Sequence, residues 1–137
     1  MAFEILEHPA DIGFRAYGAT LAELFANCAQ ALVAIILDAT DVRARERVEI
    51  NAVGVDYESL LVNWLNEVLF YVDGRRMAFG EFHITRLEPT AIECIGSGEA
   101  RDPERHAARL VVKAVTYHQL SIRENAGGWT ADVYLDI

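Results

Sequence analysis

Leu135-Asp136-Ile137 closes this sequence with a side-chain carboxylate followed at once by the α-carboxylate of Ile137. If a strand holds that end, two negative groups sit at a fixed spacing, the oxygen-rich arrangement that hard divalent cations take up. Asp11, at the start of another strand pattern, can add a third carboxylate. The ordinary alternatives are a frayed end with a solvated Asp136 and an Asp11 that caps a turn after Pro9-Ala10. His8 lies three residues before Asp11 with Pro9 between them, and His83, His106 and His118 are scattered without a ligand spacing. HExxH, a nucleophile elbow and a phosphate-cradling glycine loop are all missing from the sequence. A second charged group runs from Glu99 through Arg101, Asp102, Glu104, Arg105 and His106, with Lys113 and His118 following. It can organise a phosphate or carboxylate partner, or it can be a solvated loop leading into a core strand.

The elements that must position these residues are legible from their periodicity. Residues 3 to 7 form a short strand pattern, broken at His8-Pro9, where proline lacks an amide hydrogen and biases His8 toward extended backbone. Ile12, Phe14 and Ala16 then alternate with Gly13, Arg15 and Tyr17, so Asp11 falls on the outward parity. Thr20 and Glu23 form a capping box ahead of an amphipathic helix reaching about Leu37. Val48, Ile50 and Ala52 mark another strand. Asp56 is the N-cap of a second helix whose apolar band, Tyr57 to Val72, is wide enough to be covered on two sides or to offer a partner surface. Phe82-Ile84 and Ile92-Cys94 predict an antiparallel hairpin turning at Glu88-Pro89. Gly96 to Glu104 reads as the most loop-like segment, and Leu110 to Tyr117 is compatible with strand or helix. Gly127-Gly128 turns into a cleanly alternating strand from Trp129 to Leu135.

With 137 residues, 53% of them hydrophobic, the chain suits one domain over 1–137 with its own core. Cys28 and Cys94 fall in helix and strand patterns and read as core fillers. The basic start and long apolar stretch of a signal peptide are lacking, and the longest apolar run is too short for a membrane span, so a cytoplasmic protein without membrane contact is expected. Twelve basic residues against twenty-one acidic give a net charge of −9, which repels a polyanion at long range and argues against general nucleic-acid binding. Lys113 is the sole lysine. The fold class expected is α+β: one mostly antiparallel sheet with two main helices on one side.

Taken in order, several uncommon words resemble the archease family over essentially the whole chain. They are Leu6-Glu7-His8-Pro9-Ala10-Asp11-Ile12-Gly13, Ala16-Tyr17-Gly18 with Thr20-Leu21, Trp64-Leu65-Asn66-Glu67, Asp102-Pro103-Glu104-Arg105-His106, Lys113-Ala114-Val115-Thr116-Tyr117-His118 and Asp136-Ile137. The family usually has Thr where Pro9 stands, a change that leaves His8 and Asp11 in place. The resemblance implies a strand-helix-strand-strand module with an insertion. It also implies a non-enzymatic activator of the GTP-dependent RtcB-type RNA ligase, promoting guanylylation of the ligase and its repeated turnover in tRNA splicing or RNA repair. RNA would be met only through the ligase. Asp11, Asp136 and the Ile137 carboxylate are the implied ligands of a divalent metal, Ca²⁺, Mg²⁺ or Mn²⁺, while Arg105, His106 and Lys113 are candidates for contact with the ligase. Two other readings stand beside this one: a chaperone or adaptor for RNA-modifying enzymes acting through the second helix, and a metal-dependent hydrolase with His8 as proton acceptor.

Overall fold

The computed structural model describes residues 2–8 and 11–137, without the side chains of Glu7 and His8. In chain order the elements are β1 (Phe3–His8), β2 (Asp11–Gly18), α1 (Leu21–Ile36), β3 (Glu46–Val53), α2 (Tyr57–Leu69), a π-helical turn (Phe70–Gly74), β4 (Met77–Glu88), β5 (Ala91–Ala100), β6 (Ala114–Asn125) and β7 (Gly128–Asp136). All pairing between these strands is antiparallel, as expected. The strands do not form one sheet, however. They split into a four-stranded sheet ordered β1-β2-β7-β6 and a three-stranded sheet ordered β3-β5-β4.

The helices explain the split. Thr20 caps α1 by accepting from the Glu23 amide at 3.1 Å, and Asp56 caps α2 through a reciprocal box with Ser59. Each helix then packs against strands of both sheets, α1 on β2 and β4, α2 on β3 and β6. A helix enclosed in this way needs apolar residues around most of its circumference, which is what the wide bands supply. From α2, Leu60, Leu61, Trp64, Leu65, Val68 and Leu69 are all buried, so its band serves the core rather than a partner. The Trp64 indole N–H donates to the Phe25 carbonyl at 3.0 Å, tying α2 to α1.

The segment Gly96 to Ala100 is strand rather than loop. Its glycines are there for close packing: a Cβ on Gly96 would stand 2.8 Å from the Phe79 ring, and one on Gly98 would overlap the Ala78 carbonyl oxygen. After Ala100 the chain crosses the C-terminal end of α1 as non-repetitive backbone. There the amides of Arg109 and Leu110 donate to the carbonyls of Ile36 (2.8 Å) and Ile35 (3.2 Å), and the Arg109 guanidinium donates to Ala34 (3.0 Å). These bonds satisfy helix-end acceptors that have no partner within the helix. From Leu110 to Tyr117 the chain is therefore connecting segment up to Lys113 and strand from Ala114 onward. Between Thr116 and Ser121 the β6–β7 register shifts at a bulge, with Gln119 at φ 52°.

Candidate functional site

Register determines which residues meet at the end of the four-stranded sheet. Ile12 of β2 lies opposite Leu135 of β7, so one further step sets Asp11 beside Asp136. On the other side of β7, Ala114 of β6 lies opposite Asp136, and the Lys113 amide donates to the Asp136 carbonyl at 2.8 Å. Asp136 and Ile137 are exposed and Asp11 is half-buried. Since inward positions on β7 are Ala131, Val133 and Leu135, Asp136 and Asp11 share the outer face of the sheet.

Next along that face, Tyr134 lies over Gly13. A Cβ there would come within 2.7 Å of the ring, so only glycine admits it. The exposed His118 ring stands edge-on to Tyr134, 6.1 Å between centroids, and the Thr116 hydroxyl donates to the Tyr134 carbonyl at 3.1 Å. The row beyond is an ion-pair network. Arg15 forms a forked contact with Asp132 (2.7 and 3.1 Å) and approaches Glu4 at 3.6 Å, while Arg123 reaches Asp132 from β6 at 3.3 Å. Burial works against the charge on Asp132, yet hydrogen bonds from Arg15 and Arg123 hold its carboxyl below the usual range. This network joins β1, β2, β7 and β6 across the face and fixes the register on which the acidic end depends.

Of the residues singled out by sequence, Asp11, Asp136, Ile137, Lys113 and His118 thus gather at one end of one sheet, whereas the His8 side chain lies outside the described residues. Arg105 and His106 are elsewhere. They close a clasp around Glu99, which sequence reading passed over as part of a loop. Arg105 holds both Glu99 oxygens, at 2.7 and 2.8 Å, and the Arg43 amide donates to Oε2 at 2.8 Å. Those two donors, Arg105 first, bring the Glu99 carboxyl down to about 2. His106 is buried; its Nδ1 accepts from the Asp102 amide at 2.9 Å, so Nε2 carries the proton, 2.9 Å from the Asp41 carbonyl. With both ring nitrogens engaged inside the fold, His106 pins the 101–106 segment to residues 38–45 and presents no group to a partner. Cys28 and Cys94 are buried as expected, and burial pushes the Cys94 thiol up to about 12, which makes it a poor nucleophile.

The acidic end fits a hard cation by donor chemistry, since carboxylate oxygens suit Ca²⁺, Mg²⁺ and Mn²⁺ alike. Among the described residues no group of three or more His, Cys, Asp or Glu side chains is assembled for a metal, so the set reaches three only with the main-chain carboxylate of Ile137. Among the described residues, too, no helix is long and apolar enough to cross a membrane.

The chain is thus a small antiparallel two-sheet α+β protein with two enclosed helices and a polar, open corner at one sheet end. Residues 3–137 match the Archease protein family (MTH1598/TM1083), and the chain belongs to that family. It is 40% identical to the protein archease of Methanosarcina mazei, with 98% of this chain and 95% of the relative covered. It is 41% identical to the protein archease of Sulfurisphaera tokodaii, with 93% and 91% covered. Among solved structures, the solution structure of protein 1598 from Methanobacterium thermoautotrophicum is similar with a TM-score of 0.79, 35% identity and 99% of both chains covered. An archease from Thermotoga maritima described as a possible chaperone shares the fold, with a TM-score of 0.62 and 19% identity over 96% of this chain and 94% of that one. Family membership supports a general role in RNA-ligase activation and tRNA repair, by a non-catalytic protein.

Proposed function

We propose that this protein activates an RtcB-type RNA ligase by promoting its guanylylation, with Asp11, Asp136 and the Ile137 carboxylate holding a divalent cation at the point of contact. The observation that carries this reading is the strand register, which sets Asp11 beside Asp136 at the open end of a sheet in a chain matched to the family over 3–137. Carboxylates at neighbouring strand ends repel, and a cation between them would offset that repulsion. A bound divalent ion would supply counter-charge to a nucleotide phosphate approaching a nucleophile.

The chain's own residues have definable tasks. The Arg15–Asp132–Arg123 network fixes the spacing of β2 and β7, and hence of the two carboxylates. Lys113, tethered through its amide to Asp136, brings a cation beside the acidic corner for contact with the ligase or its nucleotide. His118 and Tyr134 form the aromatic shoulder of the same surface. Arg105 and His106 act from a distance, by holding the segment that leads into Lys113. The adaptor reading loses its supporting feature, because the apolar band of α2 is buried.

The test is multiple-turnover RNA ligation by an RtcB-type ligase from the same organism, with GTP and Mn²⁺, adding substoichiometric protein or its Asp136→Ala variant. The native protein should turn a stalled ligase into one that cycles, and the variant should not. Full activation by Asp136→Ala would overturn the role of the acidic corner, and no activation by either protein would overturn the ligase assignment.

A further inference from the structure

Away from the acidic corner, a cleft of about 290 Å³ opens between the turn before β4 and the segment after β5, lined by Arg76, Arg101, Pro103, His106 and Ala108. We propose that this cleft binds the phosphate group of a small phosphorylated ligand between the guanidinium groups of Arg76 and Arg101. Among the described residues no acidic one lines it, although the chain carries a net charge of −9.

Arg101 is half-buried, and among the described residues the one hydrogen bond of its guanidinium is a long contact of 3.4 Å from Nη1 to the Val72 carbonyl. Among the described residues it has no carboxylate within ion-pair distance. Its neighbour Arg105 is fully engaged on Glu99, so the same short segment contains one neutralised arginine and one with open donors. Arg76 is more exposed, and its nearest carboxylate is Asp73, 3.8 Å away and half-exposed itself. Burial, and then the charge of Arg76, hold Arg101 below the ordinary arginine range, with Asp73 acting weakly the other way. An anion between the two guanidiniums would compensate both, giving the half-buried charge a partner and offsetting the repulsion between the arginines.

The cleft is also preformed. Arg76 has φ 56°, a left-handed conformation that glycine or asparagine adopts far more readily than arginine. Its carbonyl accepts from the Arg101 amide at 2.9 Å, which locks the two residues side by side. On the facing wall, His106 is immobilised at both ring nitrogens. Arg75, by contrast, rests over the Phe70 ring at 5.6 Å. A planar carboxylate is satisfied by one guanidinium fork, whereas a tetrahedral phosphate presents oxygens to two arginines approaching from different sides. The volume lies at the small end of ligand clefts, and the chain's net charge of −9 repels long polyanions, so the ligand is a free phosphate or a mononucleotide rather than an RNA backbone.

The experiment is a two-dimensional amide NMR titration of the whole chain at constant ionic strength, with inorganic phosphate, GMP, GTP and acetate as separate probes. Saturable shifts at Arg76, Arg101 and Ala108 are expected with phosphate, and Arg101→Gln should weaken binding by about tenfold or more, the usual weight of a charge-assisted contact. Tighter binding of GMP or GTP identifies a nucleotide as the ligand, and equal binding identifies the phosphate alone. If Arg101→Gln alters the fold, Arg76→Asn suits the left-handed backbone and should weaken binding to a similar degree. Absence of saturable shifts, undiminished binding by both variants, or acetate binding as tightly as phosphate would each overturn the proposal.

Discussion

Replacing Gly98 with alanine adds a methyl group where β5 lies against the backbone of β4. The new Cβ would overlap the Ala78 carbonyl oxygen and stand 2.9 Å from the Ala78 carbonyl carbon and 3.0 Å from the Phe79 Cα. All three are main-chain atoms, so no rotamer change relieves the overlap and the strands themselves must part. Overpacking of a filled interior costs about 1–3 kcal/mol, and a backbone clash belongs in the upper half of that range, about 2–3 kcal/mol. An unfolding entropy of about 2.1 cal/mol/K per residue gives about 0.29 kcal/mol/K for this chain, hence a fall in Tm of about 7–10 °C. Gly127 is the internal control, because a Cβ there meets nothing within 4 Å, and Gly127→Ala should leave Tm unchanged or raise it slightly. Thermal unfolding of the parent and both variants, followed side by side by circular dichroism, makes the comparison. A Gly98→Ala protein melting within about 2 °C of the parent would refute the β4–β5 packing and return Gly96 to Ala100 to the status of a loop.

Glu99, held at about 2 against an ordinary value of 4.5, has a folded-state pKa below its unfolded one. Its contribution to stability is therefore complete above about pH 4.5 and is lost as pH falls toward about 2; the Tm difference between parent and Glu99→Gln should be largest near neutrality and shrink through that window, and a constant difference would contradict the clasp. Trp64→Phe removes the bond to the Phe25 carbonyl and part of a ring packed edge-on against Phe82, so urea unfolding should show a loss of about 1–3 kcal/mol with activation by the folded protein unchanged. Any extension past Ile137 turns its carboxylate into an amide, and calorimetric titration with Ca²⁺ or Mn²⁺ should find weaker binding by the extended chain than by the chain ending at Ile137; equal affinities would remove Ile137 from the proposed ligand set.

Both helices were legible in the sequence because their caps and apolar spacing are local signals, and Thr20 and Asp56 sit where those signals put them. The outward parity of Asp11 and Asp136 was legible for the same reason, as period-2 alternation reveals face without revealing neighbours. What alternation cannot supply is partnership between strands. The division into two sheets follows from helices enclosed on opposite sides, and a wide apolar band is compatible with that or with a docking surface until the strands are placed. Gly96 and Gly98 were misleading because glycine is common both in loops and where backbones touch. Glu99, Arg105 and His106 show a similar ambiguity: a charge-rich run reads as solvated, and only the approach of residues 38–45, distant in sequence, makes it an interior clasp. Arg101 lay in that same run, read as able to organise a phosphate or carboxylate partner, whereas Arg76 gave no local signal.

The pairing of β2 with β7 has a consequence for how the protein is made. β2 and α1 leave the ribosome early, and β2 then waits with one edge open until β7, the last strand in chain order, arrives to fill it. Synthesis runs in one direction and long-range strand pairing is slow, so the acidic corner cannot exist on a chain that has not yet released β7. Whatever recognises that corner is thereby recognising a chain on which β7 has already paired, and a copy lacking β7, however well its helices form, has nothing to compete with.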